Sequence, residues 1–481
     1  MTQSIFWYDF ETTGIDPRRD RPLQVAGVRT DLELNEIEAP LNLHCQLSED
    51  VLPHPAACLV TGILPATLQR LGLRERDFVQ RLHEALRRPN TCAVGYNNLR
   101  FDDEMVRHSL YRNFHDPYAR EWQQGNSRWD VLGLVRALYA FRPESLSWPQ
   151  DAEGVSLRLD RLTVANGIEH AQAHDALGDV RATLALARLV KQRQPRLYDY
   201  LWTQRQKKAA LARIRLLEPL LHVSGRFSAE RHFLAPVLPL AWHPVNRNAL
   251  IVCDLGLAPE PLLELDVETL RERLYTRREA LAEGDLPVPL KLVQINRCPI
   301  LAPFNVLRPT DTERLQFDLA AVWRRVRQLL DQRATWQPKV QALYAESSNF
   351  ATQEQDVEAR LYDGFIGSEE RQLCEQVHQC PAEQLGSRPW PFQDERHPEL
   401  FFRYRARNFP ELLTAEEGAR WRQFCRQRLL GEEGQGHMTC TQFITLAEQL
   451  RREVAIERVP ILEAWSAHVR ALMQRLDDPA A

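Results

Sequence analysis

The sequence predicts an α/β domain, a β-rich middle domain and an α-helical C-terminal domain, in that order. Short apolar strands alternate with amphipathic helices in the first part of the chain, which is typical of a mixed sheet flanked by helices. Extended segments separated by Pro, Gly and Asn turns dominate residues 216–345, and helical periodicity dominates from Asp356 onward. We therefore predict domains over residues 1–195, 196–345 and 346–481.

The elements of the first domain are predicted from the period of their apolar residues. Residues 75–88 repeat apolar side chains at i, i+4 and i+8, which predicts a helix. The other predicted helices cover residues 102–114, 128–141 and 174–193. The predicted strands, all short and largely apolar, are residues 4–10, 22–30, 41–46 and 91–97.

The later domains are predicted in the same way. Residues 193–215 are charged and carry one proline, which indicates a connector followed by a helix. The strands predicted in the middle domain are residues 220–225, 249–255 and 288–301. The polar stretch 347–355 indicates the second domain boundary. The predicted C-terminal helical segments are residues 360–365, 369–378, 418–430 and 461–476.

Composition limits the possible function classes. With 44% apolar and 26% charged residues the chain is ordinary for a globular protein, and no run of about 18 apolar residues indicates a membrane span. The N-terminus lacks the basic and apolar regions of a signal peptide, so we expect a cytoplasmic protein. Nine scattered cysteines without a CxxC pair disfavour a zinc site and suit free thiols in a reducing compartment.

The charge pattern permits nucleic-acid binding only through a local basic track. The net charge of −4 disfavours a globally basic surface. Only five of the 61 basic residues are lysine, and the planar fork of arginine suits contacts to phosphate and bases. Codon bias in a GC-rich genome also explains an arginine excess, and we favour that explanation for most of them.

Two carboxylates end the first predicted strand. Asp9 and Glu11 are two positions apart, so on a strand they project from the same face. Side by side they repel each other unless a cation lies between them. Taken alone, such a pair is more often an exposed acidic loop than a metal site.

Two further polar clusters lie at the ends of predicted elements. Asp102 and Asp103 stand where a buried strand gives way to a helix, and His174, Asp175 and Asp179 stand at the start of another helix. Each cluster has a structural explanation by itself, because Asp at a helix N-terminus caps free backbone amides.

The combination of clusters favours catalysis. Four acidic residues and one histidine occur in the order D-x-E, F-D and H-x4-D, an arrangement that core packing does not require. Oxygen ligands favour Mg²⁺ or Mn²⁺ over zinc, and two such ions suit in-line displacement at phosphorus. A histidine, with an ordinary pKa of about 6.5, suits removal of a proton from the attacking water.

These motifs resemble those of the DEDD exonuclease superfamily, in the branch whose third motif is H-x4-D. Within it, the whole chain resembles the bacterial exodeoxyribonuclease I family. The resemblance extends from Asp9 to about residue 413, and residues 414–481 offer no comparable stretch. The stretches that carry it include DRPLQVAGVRTD, GYNNLRFDDE, YRNFHDPYAREWQQGNSRWD, ANGIEHAQAHDALGDV, LAWHPVNRNALI and YRARNFPELL.

The resemblance implies a fold and an activity. The fold is a ribonuclease-H-like α/β exonuclease domain, an SH3-like β-barrel domain and an α-helical C-terminal domain. The activity is hydrolysis of single-stranded DNA from its 3′ end, which releases 5′-mononucleotides processively in DNA repair and recombination.

The resemblance also implies roles for the motif residues. Asp9, Glu11 and Asp179 match the direct metal ligands of two Mg²⁺ ions, for which Mn²⁺ can substitute, and Asp9 is expected to bridge them. Asp102 matches the remaining motif acid, and His174 matches the general base.

Further matching positions imply contacts with the DNA strand and with a partner. Arg158, together with Glu11, is expected to contact the terminal nucleotide. A strand-binding groove is implied for Arg107, Tyr118, Trp122 and Arg136, although Tyr118 and Trp122 are equally compatible with core aromatics. The acidic C-terminal tail of single-stranded DNA-binding protein is expected at Arg142, Tyr200 and Arg308.

Three alternatives remain open from the sequence. A DEDD ribonuclease that trims RNA shares the catalytic motifs, and discrimination rests on contacts to the 2′ position. A non-catalytic single-strand-binding module would usually lack one of the carboxylates, and all four are present here. A proofreading subunit of a polymerase would not need the domains after residue 195. We expect a monomer without membrane contacts.

Overall fold

The structure is a computed structural model that describes residues 2–152, 154–170, 175–277, 280–345, 356–432 and 436–478. These residues pack into two compact units. The first comprises the described parts of residues 1–127, 170–184 and 351–481. The second comprises those of residues 128–169 and 185–350. No helix among the described residues is both long and apolar enough to cross a membrane.

The first 112 residues alternate strands and helices around a mixed sheet. The elements are β1 (Ser4–Thr12), β2 (Pro22–Thr30), β3 (Leu41–Cys45), α1 (Pro55–Thr61), α2 (Pro65–Leu71), β4 (Gly72–Leu73), α3 (Glu75–Leu86), β5 (Thr91–Gly95) and α4 (Asp102–Arg112). Within the first unit the strands lie in the order β4-β3-β2-β1-β5. The β1 strand pairs with β2 antiparallel and with β5 parallel, which confirms the predicted mixed sheet.

The β1 strand is central and carries the first candidate site residues at its end. Phe6, Tyr8 and Phe10 pack in the core with residues of α3 and α4, because aromatic side chains fill a strand that helices cover. The register with β2 shifts between Glu11 and Thr12, which is a bulge. Bulges change the direction of nearby side chains and are frequent beside active sites.

The next part of the chain is mostly helical. Its elements are β6 (Ser127–Asp130), α5 (Val131–Phe141), β7 (Gln150–Asp151), β8 (Gly154–Val155), α6 (Leu159–Ala165), α7 (Ala176–Arg193), α8 (Pro195–Gln204) and α9 (Lys207–Arg213). The helix predicted over residues 128–141 begins only at Val131, because the Asp130 side chain caps it by accepting a hydrogen bond from the Leu132 amide. Residues 193–215, predicted as a connector followed by a helix, form two helices, α8 and α9, so a helix stands where the connector was expected.

The middle of the chain, in the second unit, is an antiparallel sheet with helices. Its elements are β9 (Leu220–Val223), β10 (Leu234–Trp242), β11 (Ala249–Asp254), α10 (Glu260–Glu264), α11 (Val267–Tyr275), β12 (Leu290–Gln294), β13 (Ile300–Ala302), α12 (Pro309–Arg314), α13 (Leu319–Asp331) and α14 (Arg333–Ala345). The strands lie in the order β12-β11-β10-β9-β13. All neighbours are antiparallel, which confirms the predicted β-rich region with helical insertions.

The C-terminal region is helical, as predicted. It consists of α15 (Ser368–Gln379), α16 (His397–Asn408), α17 (Ala415–Leu430), α18 (Cys440–Leu450) and α19 (Val459–Asp477). The prediction of a helical segment at residues 360–365 was wrong, because the Asp363 amide bonds the Arg360 carbonyl and the chain turns there. The boundary predicted at residues 347–355 lies outside the described residues.

The C-terminal helices share a core with α1 and α2, two helices that were not predicted. Cys58, Leu59 and Leu68 pack with buried residues of α17, α18 and α19. The Trp465 indole donates a hydrogen bond to the Ile63 carbonyl at 2.9 Å. The short helices α1 and α2 are too brief for a periodic pattern, and a proline at the start of each fixes its first turn.

Candidate active site

Two candidate carboxylates lie at the bulged end of β1. Asp9 and Glu11 project from the same face of the strand, as the alternation of strand side chains requires. Glu11 is 6% exposed, so its carboxylate is withdrawn from solvent. The bulge that follows Glu11 sets the direction of this side chain.

The third carboxylate comes from the first turn of α7. One carboxylate oxygen of each of Asp9, Glu11 and Asp179 lies within 4.8 Å of the others. Asp175 accepts a hydrogen bond from the Gly178 amide at 3.2 Å, so its helix-capping explanation is confirmed. The structure therefore brings together three of the acids that the sequence pattern selected.

The fourth acid, Asp102, begins α4 and is 5% exposed. Its Oδ1 accepts a hydrogen bond from the Phe10 amide at 3.3 Å, so it lies beside the end of β1. The neighbouring Asp103 has a different environment, because Tyr8 and Arg120 each donate a hydrogen bond to its Oδ1 at 2.6 Å. An arginine thus compensates Asp103 and leaves Asp102 to face the other acids.

The carboxyl groups of this cluster are harder to ionise than carboxyl groups in water. Burial, together with the charges of Asp179 and Asp102, raises the pKa of Glu11 to about 8. Burial also raises the pKa of Asp9 well above its ordinary value, with contributions from Asp102, Asp179 and Glu11. Burial and repulsion by like charges both penalise the anionic form, and a cation among the oxygens would relieve both.

The donor atoms fit a hard divalent cation. Asp9, Glu11 and Asp179 offer oxygen ligands only, the set that Mg²⁺ and Mn²⁺ prefer. Like-charged carboxylates that lie this close together are also costly for a fold to maintain, which points to a functional site.

The structure adds one histidine that the sequence analysis missed. His170 Nε2 lies 2.5 Å from Asp179 Oδ1, and its side chain is 2% exposed. The H-x4-D spacing selected His174, the second histidine of the EHAQAH stretch, and gave no reason to select His170. His174 itself lies outside the described residues, so its general-base role stays a prediction.

Three of the predicted groove residues lie in the first unit. The Arg107 guanidinium is buried against Glu104 and Glu121, at 2.8 and 2.7 Å. It lies 5.4 Å from the centre of the Tyr118 ring. Trp122 is 67% exposed, so it is not a core aromatic and its face is free to stack on a base.

The other predicted strand contacts, Arg136 and Arg158, lie in the second unit. Arg136 packs over the Phe233 ring at 5.9 Å. Its guanidinium fills the space where a side chain at Gly225 would begin. The Arg158 side chain is 62% exposed and pairs with Asp160 at 3.1 Å. The DNA contacts of both arginines stay predictions.

Two of the predicted partner-binding residues share one carboxylate. Asp311 lies 3.6 Å from Arg142 and 3.0 Å from Arg308. Arg308 also pairs with Glu144 at 2.6 Å. The Tyr200 hydroxyl donates a hydrogen bond to the Leu301 carbonyl at 2.6 Å. The partner role of these residues stays a prediction.

Three protein-family models match consecutive parts of the chain. An Exonuclease model matches residues 6–187. An Exonuclease I SH3-like domain model matches residues 205–346, and an Exonuclease I C-terminal domain model matches residues 355–472. The predicted fold class is thereby confirmed, while the predicted domain boundaries stay a prediction.

Known proteins match the chain over almost all of its length. Exodeoxyribonuclease I of Escherichia coli (strain K12) is 47% identical over 439 residues, which cover 90% of this chain and 92% of that protein. The crystal structure of E. coli Exonuclease I in complex with a dA16 oligonucleotide matches with a TM-score of 0.92 at 43% identity. The match covers 98% of this chain and 100% of that one.

A second solved structure that matches the chain contains a metal ion. The zinc ion bound form of the E. coli ExoI–ssDNA complex matches with a TM-score of 0.91 at 43% identity, over 98% of this chain and 100% of that one. From its sequence, its three domain matches and its fold, this chain belongs to the exodeoxyribonuclease I family.

Proposed function

We propose that this protein is a metal-dependent exonuclease that removes mononucleotides from the 3′ end of single-stranded DNA. The observation that carries the proposal is the approach of Asp9, Glu11 and Asp179 to within 4.8 Å in a member of this family. Carboxylate oxygens gathered this closely are suited to hold metal ions for phosphoryl chemistry.

The metal in this proposal is Mg²⁺, with two ions at the site and Mn²⁺ able to replace them. When bound, such ions supply Lewis acidity to the attacked phosphate and to the attacking and leaving oxygens. Asp9, Glu11 and Asp179 would hold the ions through their carboxylate oxygens. Asp102, buried beside Asp9, completes the negative charge that selects divalent cations.

The proton chemistry is assigned to His174. Its position five residues before Asp179 is that of the general base in this branch of the superfamily. A neutral imidazole near pH 7 accepts the proton of the attacking water as the water oxygen bonds to phosphorus. The bond to the 3′ oxygen of the preceding nucleotide then breaks, so a 5′-mononucleotide leaves.

The substrate is proposed to be DNA because the chain resembles E. coli Exonuclease I in complex with dA16 over nearly its whole length. Trp122 and Tyr118 would stack on bases, and Arg107 would hold Tyr118 in place. Arg136 would contact the strand and Arg158 the terminal nucleotide. DNA repair in the cytoplasm is the cellular role that such an activity fits.

A partner site for an acidic peptide is proposed at Arg142, Tyr200 and Arg308. Arginine and aromatic side chains suit recognition of the acidic tail of single-stranded DNA-binding protein. We expect the protein to act on DNA as a monomer. Charge reversal in Arg308→Glu should abolish binding of a labelled tail peptide in fluorescence anisotropy, and unchanged affinity would contradict the assignment.

A gel time course tests the proposed function. The substrates are 5′-labelled single-stranded DNA, a matched RNA and a blunt DNA duplex, each with Mg²⁺ or EDTA, and Asp179→Ala is the control variant. A Mg²⁺-dependent ladder that shortens from the 3′ end on single-stranded DNA, absent in the variant, is expected. Cleavage confined to RNA would contradict the assignment of DNA as the substrate. Binding of DNA without cleavage would contradict the assignment of an exonuclease activity.

A further inference from the structure

A buried set of ion pairs within the first unit joins its N-terminal residues to its C-terminal helices. None of the side chains involved is more than 9% exposed. Its members, the arginine network, are Arg21, Asp50, Asp356, Glu358, Arg403, Arg407, Arg428 and His437.

Each carboxylate of the arginine network faces at least two arginines. Glu358 accepts hydrogen bonds from Arg21, at 2.6 Å, and from Arg407. Burial alone would raise the pKa of Glu358, but the charges of Arg407 and Arg21 hold it well below its ordinary value. The carboxylates of this network are therefore compensated within the protein.

Arg21 connects the arginine network to the loop that follows β1, which we call the β1–β2 loop (residues 13–21). The Thr13 amide donates to the Arg21 carbonyl at 2.9 Å. In return, the Arg21 amide donates to Thr13 Oγ1 at 2.9 Å. This pair of hydrogen bonds closes the base of the loop, and Arg21 is the residue of the pair that Glu358 holds.

The interior of the β1–β2 loop is ordered by one carboxylate. Asp20 accepts hydrogen bonds from Thr13 Oγ1 and from the Asp16 amide, both at 2.8 Å. A Cβ at position 14 would lie 2.6 Å from the Asp20 carboxylate oxygens, so the close approach requires Gly14. Movement at the base of the loop is therefore transmitted to the whole loop.

The base of the β1–β2 loop adjoins Glu11. Only Thr12 separates Glu11 from Thr13, and the bulge between Glu11 and Thr12 interrupts the register with β2. Beyond the shift, Thr12 opposes Pro22, which is the residue after Arg21. Arg21 and Thr13 therefore close the loop directly beside the last pair of β1 and β2, one residue beyond Glu11.

We propose that Arg21 is a positioning residue for the metal site: Glu358 holds Arg21, Arg21 closes the base of the β1–β2 loop, and the loop directs Glu11 towards Asp9 and Asp179. The C-terminal region thereby contributes to the metal site without supplying a ligand. This inference rests on the proposed function, because it takes the carboxylate cluster as the metal site.

The charge balance of the arginine network makes Arg21 a suitable position to test. Four arginines face three carboxylates, so removal of Arg21 leaves equal numbers of both charges. Glu358 retains Arg407, and its oxygen also lies 3.7 Å from Arg403. Arg403→Met is the matched control, because it removes another arginine of the network that does not contact the β1–β2 loop.

The experiment measures Mn²⁺ binding to the full chain by calorimetry, together with kcat and KM on single-stranded DNA. Arg21→Met should weaken Mn²⁺ binding on the order of 10-fold, as the loss of outer contacts to metal ligands does. It should lower kcat at saturating DNA with little change in KM. Arg403→Met should retain the Mn²⁺ affinity of wild type, even if its melting temperature falls as far as that of Arg21→Met.

A second variant acts on the loop without altering the arginine network. Thr13→Val removes the acceptor for the Arg21 amide and the donor to Asp20, and should weaken Mn²⁺ binding in the same way. Equal Mn²⁺ affinity in Arg21→Met, Thr13→Val and wild type would overturn the inference alone. An equal loss of Mn²⁺ affinity in Arg21→Met and Arg403→Met would also overturn the inference. Mn²⁺ binding by wild type no tighter than by Asp179→Asn would overturn both the inference and the proposed metal site.

Discussion

Two groups of buried carboxylates in the first unit have opposite electrostatics. In the arginine network, burial alone would raise the pKa of Asp356, but the hydrogen bond from His437 and the charges of Arg428 and Arg403 lower it. In the candidate active site, burial and the charges of neighbouring acids together raise the pKa of Glu11 to about 8. The two sites bury the same functional group.

The difference distinguishes carboxylates that stabilise the fold from carboxylates that serve a function. Carboxylates that the protein compensates with its own arginines contribute to the packing of the fold, and breaking such a buried pair is costly. Carboxylates that raise one another's pKa weaken the fold at neutral pH, so their presence indicates a ligand that arrives from solution. For Asp9, Glu11 and Asp179 we propose that this ligand is a divalent cation.

The largest effect on activity is expected from loss of a carboxylate in the candidate active site. Asp9→Ala and Asp179→Ala should each lower exonuclease activity by about 10³-fold or more, since the metal supplies several kcal/mol to the transition state. Activity is measured with 5′-labelled single-stranded DNA, and circular dichroism checks the fold. Activity within 10-fold of wild type in either variant would contradict the ligand assignment.

A large loss of stability is expected from the compensated group. Asp356→Asn should lower the free energy of unfolding by about 3–5 kcal/mol, because it removes a negative charge that pairs with two buried arginines, Arg403 and Arg428, and leaves the network with a larger excess of positive charge. Urea denaturation of metal-free protein measures the change. Asp9→Asn is the control and should unfold at a higher urea concentration than wild type. If both variants lose stability equally, the comparison between the two groups fails.

A smaller effect is expected from the proposed general base. His174→Ala should slow single-turnover cleavage by about 10²-fold, the usual contribution of a positioned base. Mn²⁺ affinity should stay close to that of wild type, because His174 is not assigned as a metal ligand. A single-turnover rate near that of wild type would remove the role from His174 and direct attention to His170.

The smallest effect is a dependence of stability on pH. Glu11 binds a proton more tightly in the folded state, with a pKa of about 8 against an ordinary value of 4.5. The folded state therefore holds more protons than the unfolded state between these values, and its stability falls as the pH rises through this window. The slope from one group is at most about 1.4 kcal/mol per pH unit.

Melting temperatures of metal-free protein between pH 5 and pH 8 measure this slope. Glu11→Gln should make the curve flatter, and saturating Mg²⁺ should do the same for wild type. The carboxylates of the arginine network have lowered pKa values, so their contribution to stability is lost only below pH ~4. They therefore do not change the slope of stability against pH between pH 5 and pH 8. An identical slope in wild type and Glu11→Gln would contradict the assigned pKa shift.

Local pattern was sufficient to predict most of the first domain and its acids. The predicted strand ends and helix starts lie within a few residues of β1, α4 and α7, because apolar periodicity and helix capping are local properties. The D-x-E pair and the H-x4-D spacing selected Asp9, Glu11 and Asp179, which the fold brings together.

The arginine network could not be predicted, because its contacts are distant in the chain. Arg21 and Glu358 are separated by 337 positions, and neither has a local pattern that distinguishes it from a solvated charge. His170 was missed for a related reason: no sequence pattern distinguishes it from a structural histidine, and its contact with Asp179 is visible only in three dimensions. Helices α1 and α2 are too short for periodicity.

Asp9, Glu11 and Asp179 are proposed to hold the catalytic metal. Anomalous diffraction at the manganese edge, from crystals of this protein grown with Mn²⁺, tests this proposal most directly. The account predicts anomalous density bounded by the carboxylates of Asp9, Glu11 and Asp179, and its loss in Asp179→Asn. Well-ordered side chains at these three residues without anomalous density between them would contradict it.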